Sequence, residues 1–364
     1  MTQINKKILL VGGGTGGHVT PLIAVIEELI STGIPANQIF LVTDFESAKM
    51  EYAQGHQVEV HTIVSGKFNR FFTLSNIITP FKVIWGFFQS LKLLRKIKPD
   101  VILAKGAYLS APLVYAGAKL KIPIYLHESD SIMGTTNEKL SKYATKIFVS
   151  YPIDYYRHDL MDKLVFSGLP IRKRFFEEQP VDMGSSNNKK ILVWGGSQGA
   201  DRLNRLVIAK LSDYLKNFEL YHICGPNNFE YCEQAKQNIN NEDKNKYHLY
   251  AFLGREIEKI IAGSDLIISR AGATSLFELA AMSKAVIAIP YPISASNHQH
   301  KNAQYFKNKD AVILLEEENL DEDRLKNIIY EILGNDEKRS CLERNINKLA
   351  PKSASKIIVN YLLK

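Results

Sequence analysis

Three stretches of the chain join glycines or small residues to side chains that handle protons, phosphates or hydroxyls. The first is Gly12-Gly13-Gly14-Thr15-Gly16-Gly17-His18, set between the apolar run Ile8–Val11 and a helix-like segment from Pro21 to about Leu29. A strand that passes through glycines into a helix gathers free backbone N–H groups and a positive dipole end, which suits a phosphate. Glycine permits close approach and φ > 0 at little steric cost. His18, at the helix start, is the candidate general base, because that dipole end disfavours imidazolium and keeps a neutral proton acceptor. The simpler alternative is a histidine that caps or packs on the loop.

The second stretch repeats the first: Ile191–Trp194 leads into Gly195-Gly196-Ser197-Gln198-Gly199-Ala200 and a helical Leu203–Leu211. The third, Ser269-Arg270-Ala271-Gly272-Ala273-Thr274-Ser275, follows Leu266–Ile268 and opens a helix that contains Glu278. Small residues admit a diphosphate to the backbone, and Thr274 and Ser275 can cap the helix or donate to phosphate. Glu278, one turn in, can accept both hydroxyls of a ribose, or merely complement the helix dipole. Beyond Pro290-Tyr291-Pro292 a polar loop holds Asn297, His298, Gln299, His300, Lys301 and Asn302, whose donors and acceptors suit hexose hydroxyls or plain solvent. His298 and His300, two apart with no carboxylate partner, make a poor metal site. The D-x-D string Asp321-Glu322-Asp323 reads as a solvated helix face, so no metal is expected.

The elements that must position these residues alternate. Apolar runs at Ile8–Val11, Ile39–Thr43, Val58–Val60, Val101–Leu103, Ile124–Leu126 and Lys146–Val149 are separated by helical segments, the pattern of a parallel sheet with crossover helices. It pauses near Ser167–Pro170 and in the polar tract Met183–Lys190. It then restarts at Ile191–Trp194, Glu219–Cys224, His248–Phe252, Leu266–Ser269 and Ala285–Pro290. An α/β protein of two Rossmann-like domains follows, 1–165 and 166–344, with a C-terminal helix at about 345–364 packing back on the first. Two equivalent glycine loops would then face a shared cleft.

At 364 residues the chain is long for one core. A net charge of +8 and a pI near 9.1 favour an anionic partner: a nucleotide, a diphosphate or an acidic membrane surface. Cys224, Cys232 and Cys341 have no C-x-x-C spacing and read as idle or buried thiols. No signal-peptide core follows Lys6 and Lys7, and no run nears the ~20 apolar residues of a spanning helix. A cytosolic protein, or one attached to a membrane from outside, is expected. The segment Lys67–Lys98 interleaves Phe68, Phe71, Phe72, Phe81, Ile84, Trp85 and Phe88 with Lys67, Arg70, Lys82, Lys92 and Arg95, the composition of an interfacial element or of a core helix with a basic face.

Gly12–His18, Gly195–Ala200, Ser269–Glu278 and Asn297–Ala303 together, in order and over nearly the whole chain, resemble glycosyltransferase family 28. The resemblance implies a GT-B architecture and a metal-independent hexosyltransferase without cofactor. It implies inverting transfer of N-acetylglucosamine (GlcNAc) from UDP-GlcNAc to a muramyl-pentapeptide diphospho-undecaprenol lipid in peptidoglycan synthesis. By motif, donor contacts fall to Thr15, Gly16, Gly17, Asp130, Arg172, Ser197, Leu253, Ala273, Thr274, Ser275, Glu278, His298 and Gln299. Acceptor contacts fall to Gly14, Thr15, Gly16, His18 and Tyr108, with Glu128 a second candidate base. The implied partners are UDP-GlcNAc, a polyprenyl-diphosphate acceptor and the anionic cytoplasmic face of the plasma membrane, with no nucleic acid. The family commonly has His-Glu-Gln-Asn, Gly-Asn-Pro and Gly-Gly-Tyr where this chain has His127-Glu128-Ser129-Asp130, Gly168-Leu169-Pro170 and Gly106-Ala107-Tyr108. Its Gly-Leu-Glu has no clear counterpart at Asp44–Met50. These departures fall in the acceptor-facing half.

Three rivals remain at this point. Gly12, Gly14 and Gly17 also satisfy the dinucleotide fingerprint, with Asp44 as ribose ligand of an NAD-dependent dehydrogenase, though Asp44 comes later than the usual ~20-residue spacing. A family 28 transferase for another lipid acceptor and a non-catalytic sugar-nucleotide-binding subunit are the others.

Overall fold

The computed structural model describes residues 6–14, 16–44, 55, 57–66, 74–177, 188–196, 199–254 and 256–364. The chain divides into two units, Met1–Lys173 with Pro351–Lys364, and Arg174–Ala350.

The first unit holds a parallel sheet of β1 (Ile8–Val11), β2 (Ile39–Thr43), β3 (Glu59–Thr62), β4 (Val101–Ala104), β5 (Ile124–Glu128), β6 (Lys146–Val149) and β7 (Leu164–Phe166), in the order β3-β2-β1-β4-β5-β6-β7. The central strands are apolar throughout because helices cover both faces: Ile8, Leu9, Leu10 and Val11 are all fully buried. The register sets Val11 beside Val42 on one side and Ala104 on the other. The last helix, Ala354–Leu363, belongs to this unit, adding Ile358, Val359 and Leu362 to the core formed by the helix Gly16–Ser31. Pro351 lies against Gly168, whose φ of 78° leaves a Cβ only 2.9 Å from the proline ring.

The second unit holds β8 (Lys189–Trp194), β9 (Phe218–Ile223), β10 (Tyr247–Tyr250), β11 (Leu266–Ser269), β12 (Val286–Ala288) and β13 (Ile313–Leu314), all parallel in the order β10-β9-β8-β11-β12-β13. Counted within each unit, both sheets share the order 3-2-1-4-5-6, with β7 an extension of the first. In such a sheet the strand order reverses between the first and fourth strands, and ligands gather at their carboxyl ends. Gly12 and Lys105 stand at those ends in the first unit, Gly195 and Arg270 in the second.

The structure departs from sequence reading in two places. The edge strands β7 and β13 are only three and two residues long, too short to register as apolar runs. The supposed polar loop Asn297–Asn302 is mostly helix: Ser296 and Asn297 take left-handed φ of 53° and 55°, and His298–Lys307 then winds so that Ala303 and Phe306 reach the core.

Candidate active site

In the first unit the glycines of the opening loop are required by their neighbours. A Cβ on Gly12 would stand 2.8 Å from the carbonyl oxygen of His18, and one on Gly13 would stand 2.3 Å from Oδ2 of Asp44. Gly14 has φ 92° and packs on the ring of Tyr108, 2.9 Å from its own would-be Cβ. The structure thus brings Gly14 and Tyr108 together and adds Asp44, whose Oδ2 accepts the Gly14 N–H at 2.5 Å. Burial, and then the Asp44 carboxylate, push the Tyr108 phenol up. A cavity of about 320 Å³ lined by Asp44, Thr62, Ser65, Lys82, Gln89 and Tyr108 opens beside this group. Gly16 and Gly17 begin the helix Gly16–Ser31; Thr15 lies outside the described residues.

Glu128 ends β5 with both carboxylate oxygens engaged. Oε1 accepts the Asp130 N–H at 3.0 Å, and Oε2 accepts the Gly134 N–H at 2.9 Å and the Asn137 amide at 2.8 Å. Burial, then Asp130, raise its pKa, against lowering by Lys105 and the two N–H donors. These three bonds tie the carboxylate to the Ser129–Gly134 loop and to Asn137. Tyr156 holds the same loop by donating to the Asp130 carbonyl at 2.8 Å. Arg172, expected with the donor half, lies in the first unit, where it is buried.

In the second unit the loop after β8 turns on Gly196 (φ 83°) and Gly199 (φ 76°), with Gly199 N–H donating to Gly196 O at 3.1 Å. A Cβ on Gly199 would stand 2.4 Å from the Cys224 carbonyl, so β9 approaches the loop backbone directly. Ser197 and Gln198 lie outside the described residues. A buried network fixes the helix that follows. Asn204 Nδ2 donates to Cys224 O at 2.9 Å, which leaves its Oδ1 to accept from His222 Nε2 at 2.9 Å and His222 Nδ1 to accept from the Tyr247 hydroxyl at 2.9 Å. Burial pushes His222 down to about 3, so it stays neutral in this role.

Gly272 caps the helix Ala273–Ala281, its side-chain-free cap leaving the first N–H groups to be met from outside the helix. Ala273, Thr274, Ser275 and the buried Glu278 follow along its first two turns. Arg270, which belongs to the third stretch, braces this end of the sheet. Its Nη1 bonds Ile289 O at 3.3 Å, Pro290 O at 3.4 Å and the Glu317 carboxylate, and its guanidinium lies 5.4 Å from the Tyr291 ring centroid. Gln299 Oε1 accepts the Tyr291 N–H at 2.8 Å, and Asn302 reaches back to Ala271 O at 3.4 Å. His300 pairs with Glu316 at 2.8 Å. His298 shares the first turn of that helix, and Leu253 stands in the loop beyond β10.

The model of the glycosyltransferase family 28 N-terminal domain matches residues 8–149, and that of the glycosyltransferase family 28 C-terminal domain matches residues 190–360. The UDP-N-acetylglucosamine--N-acetylmuramyl-(pentapeptide) pyrophosphoryl-undecaprenol N-acetylglucosamine transferase of Clostridium botulinum (strain Kyoto) is 33% identical over 365 residues, 99% of each chain. Its namesake from Clostridium tetani is 35% identical over 338 residues, 90% of this chain and 91% of that one. Among solved structures, Acinetobacter baumannii MurG superposes with TM-score 0.71 at 22% identity over 98% of both chains. UDP-GlcNAc 2-epimerase from Neisseria meningitidis bound to UDP-GlcNAc gives 0.71 at 16% identity, covering 98% and 99%. A fold shared by a transferase and an epimerase does not choose the reaction.

Proposed function

Since the chain belongs to glycosyltransferase family 28, we propose that it transfers GlcNAc from UDP-GlcNAc to a muramyl-pentapeptide diphospho-undecaprenol lipid, a step of peptidoglycan synthesis. The observation that carries this reading is identity of 33% with an enzyme so named over 99% of both chains. The GT-B fold of two parallel sheets with matched glycine loops agrees with it.

An inverting displacement needs a base on the acceptor hydroxyl and stabilisation of the departing UDP. His18 is the proposed base, on the helix start that the glycine loop feeds. The second unit would hold the donor: Ala273–Ser275 and Ser197 at the diphosphate, Glu278 at the ribose, Gln299 and His298 at the sugar, and Leu253 along the nucleotide. From the first unit Arg172, Asp130, Thr15, Gly16 and Gly17 would complete the donor contacts, while Gly14, Thr15, Gly16, His18 and Tyr108 would meet the acceptor. Asp44, which a dinucleotide reading would place on a ribose, is bonded to Gly14. The charges of helix start and guanidinium serve the leaving group without a metal. In the D-x-D string, Asp321 caps a helix by accepting from Arg324 N–H at 2.7 Å, and Asp323 pairs with Lys210 at 2.7 Å.

The acceptor places the protein at a membrane. The helix Leu74–Ile97 carries Phe81, Ile84, Trp85 and Phe88 at i, i+3, i+4 and i+7, each between 55% and 70% exposed, with Lys82, Lys92 and Arg95 also exposed. No helix among the described residues is long and apolar enough to cross a membrane. Such an element lies in the interface, here proposed as the cytoplasmic face of the plasma membrane. Lys67, Arg70, Phe68, Phe71 and Phe72, assigned to the same surface from sequence, lie outside the described residues.

The test is incubation with radiolabelled UDP-GlcNAc and a panel of lipid acceptors in excess chelator. Label should enter the muramyl-pentapeptide lipid at an undiminished rate. Transfer only to a different lipid would replace the acceptor, absence of turnover would favour a binding subunit, and loss of rate in chelator would overturn the metal-free mechanism.

A further inference from the structure

Lys105 stands at the first unit's switch point, between its two glycine turns. It follows β4, donates its backbone N–H to Val11 O at 2.8 Å, and keeps its Cβ 3.0 Å from where a Cβ on Gly12 would be. Gly106 comes next, with φ 83°, and caps the helix Ala107–Lys119. The lysine side chain is 2% exposed, and its ammonium donates to Ser129 Oγ. It faces the carboxylates of Glu128 and Asp130, which offset part of the lowering that burial imposes on its pKa. Where the family commonly has neutral glutamine and asparagine, this chain has Ser129 and Asp130, so an extra negative charge acts on the lysine that packs against Gly12, in a loop assigned to an anion. Like charges repel, the more so away from water. Both carboxylates act on the ammonium, Glu128 more strongly than Asp130, and Glu128 also has three N–H donors to spread its charge.

We propose that Lys105 is a positioning residue for the acceptor diphosphate: tethered to Ser129, its ammonium offsets the charge of Asp130 and leaves the Gly12–Gly14 loop able to receive an anion. The inference rests on the acceptor reading given above. Lys105 is almost wholly buried and acts through the two loops it joins. Among the described residues, Glu128, Asp130 and His127 face or adjoin it. Burial, and then the Lys105 charge, hold His127 well below its usual range.

Steady-state kinetics with UDP-GlcNAc and a lipid-diphosphate acceptor test this in Lys105→Met, Asp130→Asn, Ser129→Ala and the Lys105→Met/Asp130→Asn double variant. Lys105→Met should raise the acceptor KM about tenfold and leave the UDP-GlcNAc KM within about twofold. Adding Asp130→Asn should restore most of the loss in acceptor KM, which a purely structural defect would not allow; because Asp130 is also a proposed donor contact, the UDP-GlcNAc KM of the double variant is compared with that of Asp130→Asn alone. In the wild type, acceptor kcat/KM should fall as pH rises through the lowered pKa of Lys105, since the neutral amine no longer offsets Asp130. Lys105→Met should lack that limb. Ser129→Ala, which keeps the charge and loses its tether, should move the acceptor KM the same way by a smaller factor, and serves if Lys105→Met does not fold. A Lys105→Met enzyme with the wild-type acceptor KM and pH profile, a double variant no better than the single one, or an unmoved acceptor KM in Ser129→Ala would overturn the inference and leave the transferase reading intact. Absence of transfer by the wild type itself would instead overturn the function on which both depend.

Discussion

His18 occupies the first turn of the helix Gly16–Ser31, where its carbonyl oxygen packs on Gly12 and its side chain is partly exposed. If it is the base, His18→Ala should lower kcat by about a hundredfold or more, the usual worth of a positioned proton acceptor, with little change in UDP-GlcNAc affinity measured by calorimetry. Unchanged kcat would remove it from the role. His222 poses the opposite case, a histidine used for its neutrality. Its pKa is about 3 in the fold and about 6.5 in an unfolded chain, so above pH 6.5 both states are neutral and between the two values only the unfolded chain binds the proton. Stability should therefore fall as pH drops, by about 3 kcal/mol between pH 7 and pH 4 from this residue alone. Urea unfolding should show that extra loss in the wild type and not in His222→Gln; equal pH dependence in both would contradict it.

The helix Leu74–Ile97 shows how one element serves two surfaces. Gly86 lets its backbone close on the chain after β3, a Cβ there meeting Val64 O at 2.0 Å, while Gln89 accepts the Val64 N–H at 2.8 Å. Docked by that side, the helix turns Phe81, Ile84, Trp85 and Phe88 outward. Each large apolar side chain moved from water to lipid is worth about 2 kcal/mol, so Trp85→Ser with Phe88→Ser should weaken binding to anionic vesicles by about a thousandfold in flotation, with UDP-GlcNAc binding retained. Flotation unaffected by both changes would make the stripe a surface for something other than lipid. Sequence composition raised an interfacial segment here; it did not say which face of the helix stays uncovered, because Leu91, Leu94 and Ile97 are equally apolar yet buried.

At the scale of the whole molecule, the charge of +8 is unevenly shared, with 23 basic and 13 acidic residues (+10) in the first unit and 23 and 25 (−2) in the second, and the first unit's attraction to an acidic surface should fade as salt shortens its range. Vesicle binding should accordingly drop between low and physiological ionic strength; insensitivity to salt would leave the apolar stripe as the sole anchor. The sequence by itself determined the α/β class, the two parallel sheets and the glycine-rich strand ends, because alternation of apolar runs and helices is a local pattern and right-handed crossovers leave few ways to assemble it. It also marked Gly12–His18 and Ala273–Glu278 as chemistry-bearing, since a glycine turn into a helix start is legible in consecutive residues. Only the tertiary structure decided which side chains meet across strands: Asp44 on Gly14, Arg270 on Glu317, and Lys105 on Ser129 between two carboxylates. Those partners lie from 24 to 47 positions apart, brought together by sheet register and burial, and no local spacing encodes a meeting of that kind.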